Sequence, residues 1–168
     1  MPADVTALDL NAFDYANPLV DLDAIRAVNP QRFEFEMLSG IVHIDPAASV
    51  IVGFKDLTHD EFWIRGHMPG YPVLPGVLMC EGAAQLGGYY IAKHVAAPGV
   101  LIGLAGIDEA RFHRPVRPGD RLVMVGHGLK IHRRLSRFRV VGTVGGEKAF
   151  EVVVGGVTLG QLRELRGA

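Results

Sequence analysis

The spacing of apolar positions changes several times along the chain, and each change predicts an element. Residues 1–20 show no sustained period and contain Asn17-Pro18, so they form an extension, either mobile or laid over the surface. Asp21 to Val28 predicts a short helix, with acids at its start, apolar Leu22, Ile25 and Val28, and a stop at Asn29-Pro30. Residues 33–45 and 49–57 predict two strands joined across Pro46-Ala47-Ala48. A Pro/Gly-rich loop, Gly66 to Pro75, then leads into Val77–Ala92, the strongest helical segment of the chain. From Val100 to Leu159 four further strands are predicted, at 100–114, 120–132, 136–145 and 148–159. Pro115–Gly119 and Gly145-Gly146 supply turns among them, the second in a hairpin. The outline is α+β: one long helix set into an otherwise antiparallel sheet, with residues 21–168 as a single domain.

Val77–Ala92 reads VLMCEGAAQLGGYYIA, with apolar or small residues all the way round, as in a buried helix. Gly82, Gly87 and Gly88 each cost about 1 kcal/mol relative to alanine in a helix interior. Close approach of a curved sheet to the helix backbone would offset that cost.

Composition narrows the class. With 49% apolar and 21% charged residues the chain is globular rather than disordered. No stretch of about 18 uninterrupted apolar residues suggests a membrane span. The first ten residues lack the basic start and apolar run of a secretory signal. A single cysteine, Cys80, excludes an internal disulfide framework, and a reducing cytoplasm is the expected compartment. The net charge of −1 hides an asymmetry, since residues 1–61 hold eleven acids against three bases. Nine bases lie between Arg111 and Arg139, where Asp120 is the lone acid. Such a stretch is either a pair of solvated strand faces or a surface for an acidic partner. Nucleic acid is not expected, because no aromatic-interleaved or helix-turn-helix pattern accompanies it.

Three features carry chemistry. Glu81 is the lone carboxylate of the apolar helix, and a carboxyl in such a site favours its protonated form, able to donate a proton. Gln85, four residues on, shares its helix face and can hydrogen-bond it. His67 sits in a loop stiffened by Pro69, Pro72 and Pro75, and imidazole titrates near pH 6.5, which suits a general base. Gly76 and Val77 open the helix, where free N–H groups can polarise a carbonyl oxygen. An acid, a base and an oxyanion donor around one helix start suit proton abstraction beside a carbonyl with loss of a β-hydroxyl. Metal binding is not expected, because the spacing of His59, Asp60, Glu61 and His67 matches no ligand pattern. No phosphate loop is present either.

The stretch Gly66-His67-Met68-Pro69-Gly70-Tyr71-Pro72-Val73-Leu74-Pro75-Gly76-Val77-Leu78, with Glu81 and Ala84-Gln85, resembles the FabZ-type 3-hydroxyacyl-acyl-carrier-protein dehydratases. LAGIDEARFHRPVRPGDRL from Leu104 and, more loosely, LKIHRRLSRF from Leu129 resemble the same family, over about residues 21–160. The resemblance implies a hot-dog fold, a long helix wrapped by a curved antiparallel sheet. It implies homodimers, often trimers of dimers, in which His67 of one subunit faces Glu81 of the other. His67 would take the α-proton of a (3R)-3-hydroxyacyl thioester and Glu81 would help the β-hydroxyl leave. Gly76 N–H would hold the thioester oxygen, and Val77, Met68, Pro69 and Gln85 would line the substrate site. An acyl tunnel would run beside the helix, and no cofactor is implied. The acidic carrier protein would dock on the basic stretch, through Arg111, Arg114, Arg117, Arg121 and Arg134. The pathway would be fatty acid synthesis or a related lipid or polyketide route.

The chain departs from the family where His-Arg-Tyr-Pro-Phe-Leu-Leu-Val-Asp-Arg is expected. Gln31-Arg32-Phe33-Glu34-Phe35-Glu36-Met37-Leu38-Ser39-Gly40 stands there instead, and Met68 replaces the usual Phe. The sibling dehydratase-isomerases carry Asp at the position of Glu81, which disfavours isomerisation. The alternatives are a hot-dog thioesterase and a non-catalytic acyl-binding subunit on the same fold.

Overall fold

The computed structural model describes residues 8–165. The expected helix at 21–28 is α1, Leu22–Arg26, capped by Asp21, whose carboxylate accepts from Ala24 N at 2.9 Å. β1 (Gly40–Asp45) and β2 (Val50–Asp56) form the first hairpin, with Asp45 accepting from Ala47 N and Ala48 N in the turn. The long helix α2 spans Gly76–His94. β3 (Val100–Phe112), β4 (Arg121–Lys130), β5 (Leu135–Val144) and β6 (Glu147–Gln161) follow, then a one-turn helix α3, Leu162–Leu165. The six strands form one antiparallel sheet in the order β1-β2-β4-β5-β6-β3, the hot-dog arrangement expected. At the β5–β6 turn Gly145 and Gly146 both take positive φ (58° and 82°), as the tight hairpin demands. Among the described residues no helix is long and apolar enough to cross a membrane.

One expected strand is shorter than predicted. Residues 33–45 give a strand only from Gly40, because Phe33–Phe35 is a 3-10 turn. The reason is a competing partner: Phe35 O and Met37 N bond the side-chain amide of Gln85 rather than a neighbouring strand.

Alternate residues of the strands face α2, as the two-residue period requires. Ile51, Met124, Phe138, Val140, Phe150 and Val152 pack inward on Met79, Ala83, Leu86 and Tyr90, all buried. The sheet comes close enough that a Cβ on Gly87 would lie 3.3 Å from the Phe138 ring, which would have to give way by a few tenths of an ångström. Phe138 is 1% exposed, and Phe138→Ala should cost about 3–5 kcal/mol in urea unfolding.

The helix is not buried all round, contrary to the expectation from its composition. Val77, Lys93 and His94 are exposed, and Glu81, Ala84, Gly88 and Ala92 are half-buried. These last four positions line an open cavity beside the helix. On the convex side of the sheet, Leu8, Leu10, Phe13 and Tyr15 lie over Val50, Val52, Phe54, Val123 and Val125. Residues 8–20 are therefore laid over the surface, and Val20 pairs with Ile41 at its end. Residues 1–7 of the predicted extension lie outside the described residues.

Candidate active site

His67 stands on the exposed loop between β2 and α2, and its backbone is locked to that loop. Its N–H donates to Trp63 O at 2.8 Å and its carbonyl accepts from Val73 N at 2.9 Å. Met68 and Tyr71 exchange two backbone bonds around Gly70, whose φ of 76° suits glycine. The ring has one partner, Val73 O, 2.6 Å from Nδ1. A carbonyl oxygen can only accept, so Nδ1 carries a proton, and in the neutral ring the lone pair is on Nε2. This is the tautomer a general base requires.

The loop is tied to the sheet beyond α2. Leu74 N donates to Val116 O at 2.8 Å, and the Arg117 guanidinium stacks 4.5 Å from the Tyr71 ring centre while bonding its hydroxyl. Helix α2 then starts at Gly76. Among the described residues, the N–H groups of Gly76 and Val77 have no backbone or side-chain acceptor. They are the free donors expected of a helix start. Gly76 has a second constraint, since a Cβ there would lie 2.8 Å from the exposed Phe112 ring.

Glu81 lies five residues further along α2, half-buried rather than enclosed. Gln85 fixes it. The buried amide of Gln85 accepts Met37 N–H at Oε1 (3.0 Å), which makes Nε2 the donor to Phe35 O (2.7 Å) and to Glu81 Oε1 (2.8 Å). Glu81 Oε1 is thereby held as an acceptor, and Oε2 has no side-chain partner among the described residues. Asn29, also buried, donates to Gln85 O at 3.1 Å and holds the preceding segment against the helix.

A cavity of about 690 Å³ runs beside α2, lined by Glu81 and Gln85 and by residues of β3, β6 and the 26–32 segment. His67, Met68, Pro69, Gly76 and Val77 do not line it. The cavity that Glu81 lines therefore reaches neither His67 nor the helix-start donors. Burial pushes the Cys80 thiol up, away from thiolate, which leaves it a poor nucleophile. His59, Asp60, Glu61 and His67 do not converge as a ligand set.

The five arginines are not brought together either. Arg114, Arg117 and Arg121 lie at the His67 end of the sheet, whereas Arg134 lies beyond the far end of β4, a ten-residue strand about 30 Å long. Arg114 is paired with Glu147 and Arg121 with Asp56, and in the same basic stretch Arg137 pairs with Asp108 and Arg139 with Glu109. Arg111, Arg117 and Arg134 remain exposed without an ion-pair partner among the described residues.

The sequence profile of the FabA-like domain family matches residues 29–153. The chain belongs to this family. A FabZ 3-hydroxyacyl-acyl-carrier-protein dehydratase of Bacillus cereus (strain AH820) is 34% identical over 136 residues, 81% of this chain and 94% of that one. Among solved structures, the dehydratase heterocomplex ApeI:P from Xenorhabdus doucetiae superposes with a TM-score of 0.67 at 14% identity, covering 86% of this chain and 97% of that chain. The thioesterase HI1161 from Haemophilus influenzae superposes at 0.57 with 15% identity, over 73% and 79% of the two chains. At such identities the structural likeness speaks for the hot-dog fold and no further, which leaves the FabA-like assignment to the sequence.

Some contributors to the site have no signature in the sequence. The acceptor that sets the His67 tautomer is a backbone carbonyl, and any residue at 73 would supply one. Asn29 carried a signal, a polar residue beside a helix stop, but one that equally suits an ordinary turn.

Proposed function

We propose that this protein removes water from (3R)-3-hydroxyacyl thioesters carried on an acyl carrier protein, giving trans-2-enoyl thioesters for fatty acid synthesis. The observation that carries the reading is the fixed tautomer of His67, with Nδ1–H bound to Val73 O and Nε2 free. The FabZ relative, a 3-hydroxyacyl-acyl-carrier-protein dehydratase by name, supports it.

The thioester oxygen accepts from Gly76 N–H, with Val77 beside it, and gains electron density as the α-proton leaves. His67 Nε2 takes that proton from C2. The C3–O bond breaks, the C2=C3 double bond forms, and Glu81 Oε2 gives its proton to the departing hydroxyl, which leaves as water. Proton transfer from His67 to Glu81 through solvent restores both groups. The elimination is redox-neutral and balances without a cofactor.

Because the cavity that Glu81 lines does not reach His67, the site draws on two protomers. The β3 edge is unpaired and exposes Leu104, Ile107 and Phe112, so a second copy pairing there would cover apolar surface and an open strand together. The carrier protein approaches the His67 end, where Arg117 braces the catalytic loop and Arg111 is free. The protein works in the cytoplasm, where its one thiol stays reduced.

The test follows enoyl thioester absorbance with carrier-bound and coenzyme A-bound substrates. Appearance of the enoyl product supports the reading; release of free acid instead makes the protein a thioesterase, and no turnover makes it a binding subunit. Arg111→Glu should raise KM about tenfold for the carrier-bound substrate and leave the coenzyme A thioester little changed. Equal effects on both would remove Arg111 from the docking surface.

A further inference from the structure

The cavity beside α2 holds a glycine that packing does not explain. Of the helix-interior glycines, Gly82 lies against Met124 and Gly87 against Phe138, where a Cβ would approach to 3.2 and 3.3 Å. A Cβ on Gly88 would meet nothing within 4 Å. Interior glycine weakens a helix relative to alanine, so its presence at 88 needs a cause other than contact within the protomer. Gly88 opens on the 690 Å³ cavity that Glu81 also lines. Ala92 lines it one turn further on, and Leu104 and Val154 supply apolar wall opposite.

We propose that Gly88 sets how deep the acyl chain can run, and so makes this a dehydratase for long acyl chains. The inference rests on the dehydratase reading, which places the reacting C3 beside Glu81. Gly88 is seven residues beyond Glu81, about 10 Å along the helix axis. An extended hydrocarbon advances slightly less than one C–C bond of about 1.5 Å per carbon, so about eight carbons beyond C3 reach that point. Chains of about four to eight carbons in total end short of Gly88, whereas those of about fourteen to sixteen pass it. A side chain at 88 would block only the second group.

The experiment measures kcat/KM of wild type, Gly88→Ala, Gly88→Leu and Ala92→Leu across that range of thioesters, with the oligomeric state checked by light scattering. Leucine is a better helix former than glycine, so the fold is not weakened by propensity. Gly88→Leu should keep wild-type rates on short chains and lose about 100-fold on long ones, the cost of leaving roughly four methylenes unburied. Gly88→Ala should fall between, and Ala92→Leu, about 6 Å further on, should reject only the longest chains. A uniform loss at every length would overturn the inference. So would dissociation of the Gly88→Leu variant, which would show that the glycine makes room for a second copy of the helix. A wild type that dehydrates no thioester of any length would instead bring down the dehydratase reading itself.

Discussion

His67→Ala should lower hydration of a 2-enoyl thioester by about 10²–10⁴-fold while leaving thermal unfolding almost unchanged. The two halves of that expectation have separate grounds. The side chain is exposed, and its one hydrogen bond is to Val73 O, so removing the ring takes little from the fold. The loop keeps its shape through backbone bonds at Trp63, Met68, Tyr71 and Val73, none of which needs the imidazole. What disappears is Nε2, the ring nitrogen that the Nδ1 bond to Val73 O leaves free. Wild-type turnover in this variant, measured by enoyl absorbance, would strip His67 of the role of base.

Glu81→Gln should cost a similar factor in kcat, again about 10²–10⁴, with a much smaller effect on KM. The substitution keeps volume and preserves an acceptor for Gln85 Nε2, but the amide has no proton to release to a leaving hydroxyl. A variant at full speed would leave Glu81 as a helix residue held by Gln85 and nothing more. Combining the two inactive variants tests whether each site draws on two chains. In a mixed dimer one site receives both substitutions and the other receives neither, so random exchange should restore about a quarter of wild-type activity. Both substitutions fall in one site only if each chain carries half of it. No recovery after verified subunit exchange would place His67 and Glu81 in one protomer.

Much of this was legible in the chain. The alternation through 120–132 and 136–145 has a local cause, the two-residue period of a half-buried strand, and β4 and β5 follow it. Gly145-Gly146 sets its hairpin for an equally local reason. The segment before β1 was not legible, because its backbone answers to Gln85, some fifty residues away. A sequence window around Phe35 contains no trace of that amide. Glu81 stood out as a carboxylate among apolar neighbours, yet its half-buried setting depends on a face of α2 that one protomer leaves open. The basic stretch misled in the same way. Its arginines are adjacent in sequence, but β4 separates them in space, and Asp56, Asp108, Glu109 and Glu147 neutralise several from elsewhere in the chain.

The β3 edge has a consequence for the life of a newly made chain. Its pairing with β6 breaks register three times, at Leu101/Ile102, Leu104/Gly106 and Asp108/Arg111. A strand so interrupted makes a poor template for a straight, unrelated segment, which would lose the ladder at each irregularity. A second copy of the chain would meet those irregularities with its own. A freshly folded chain can therefore display an apolar edge and still resist the indiscriminate strand addition that seeds fibrils.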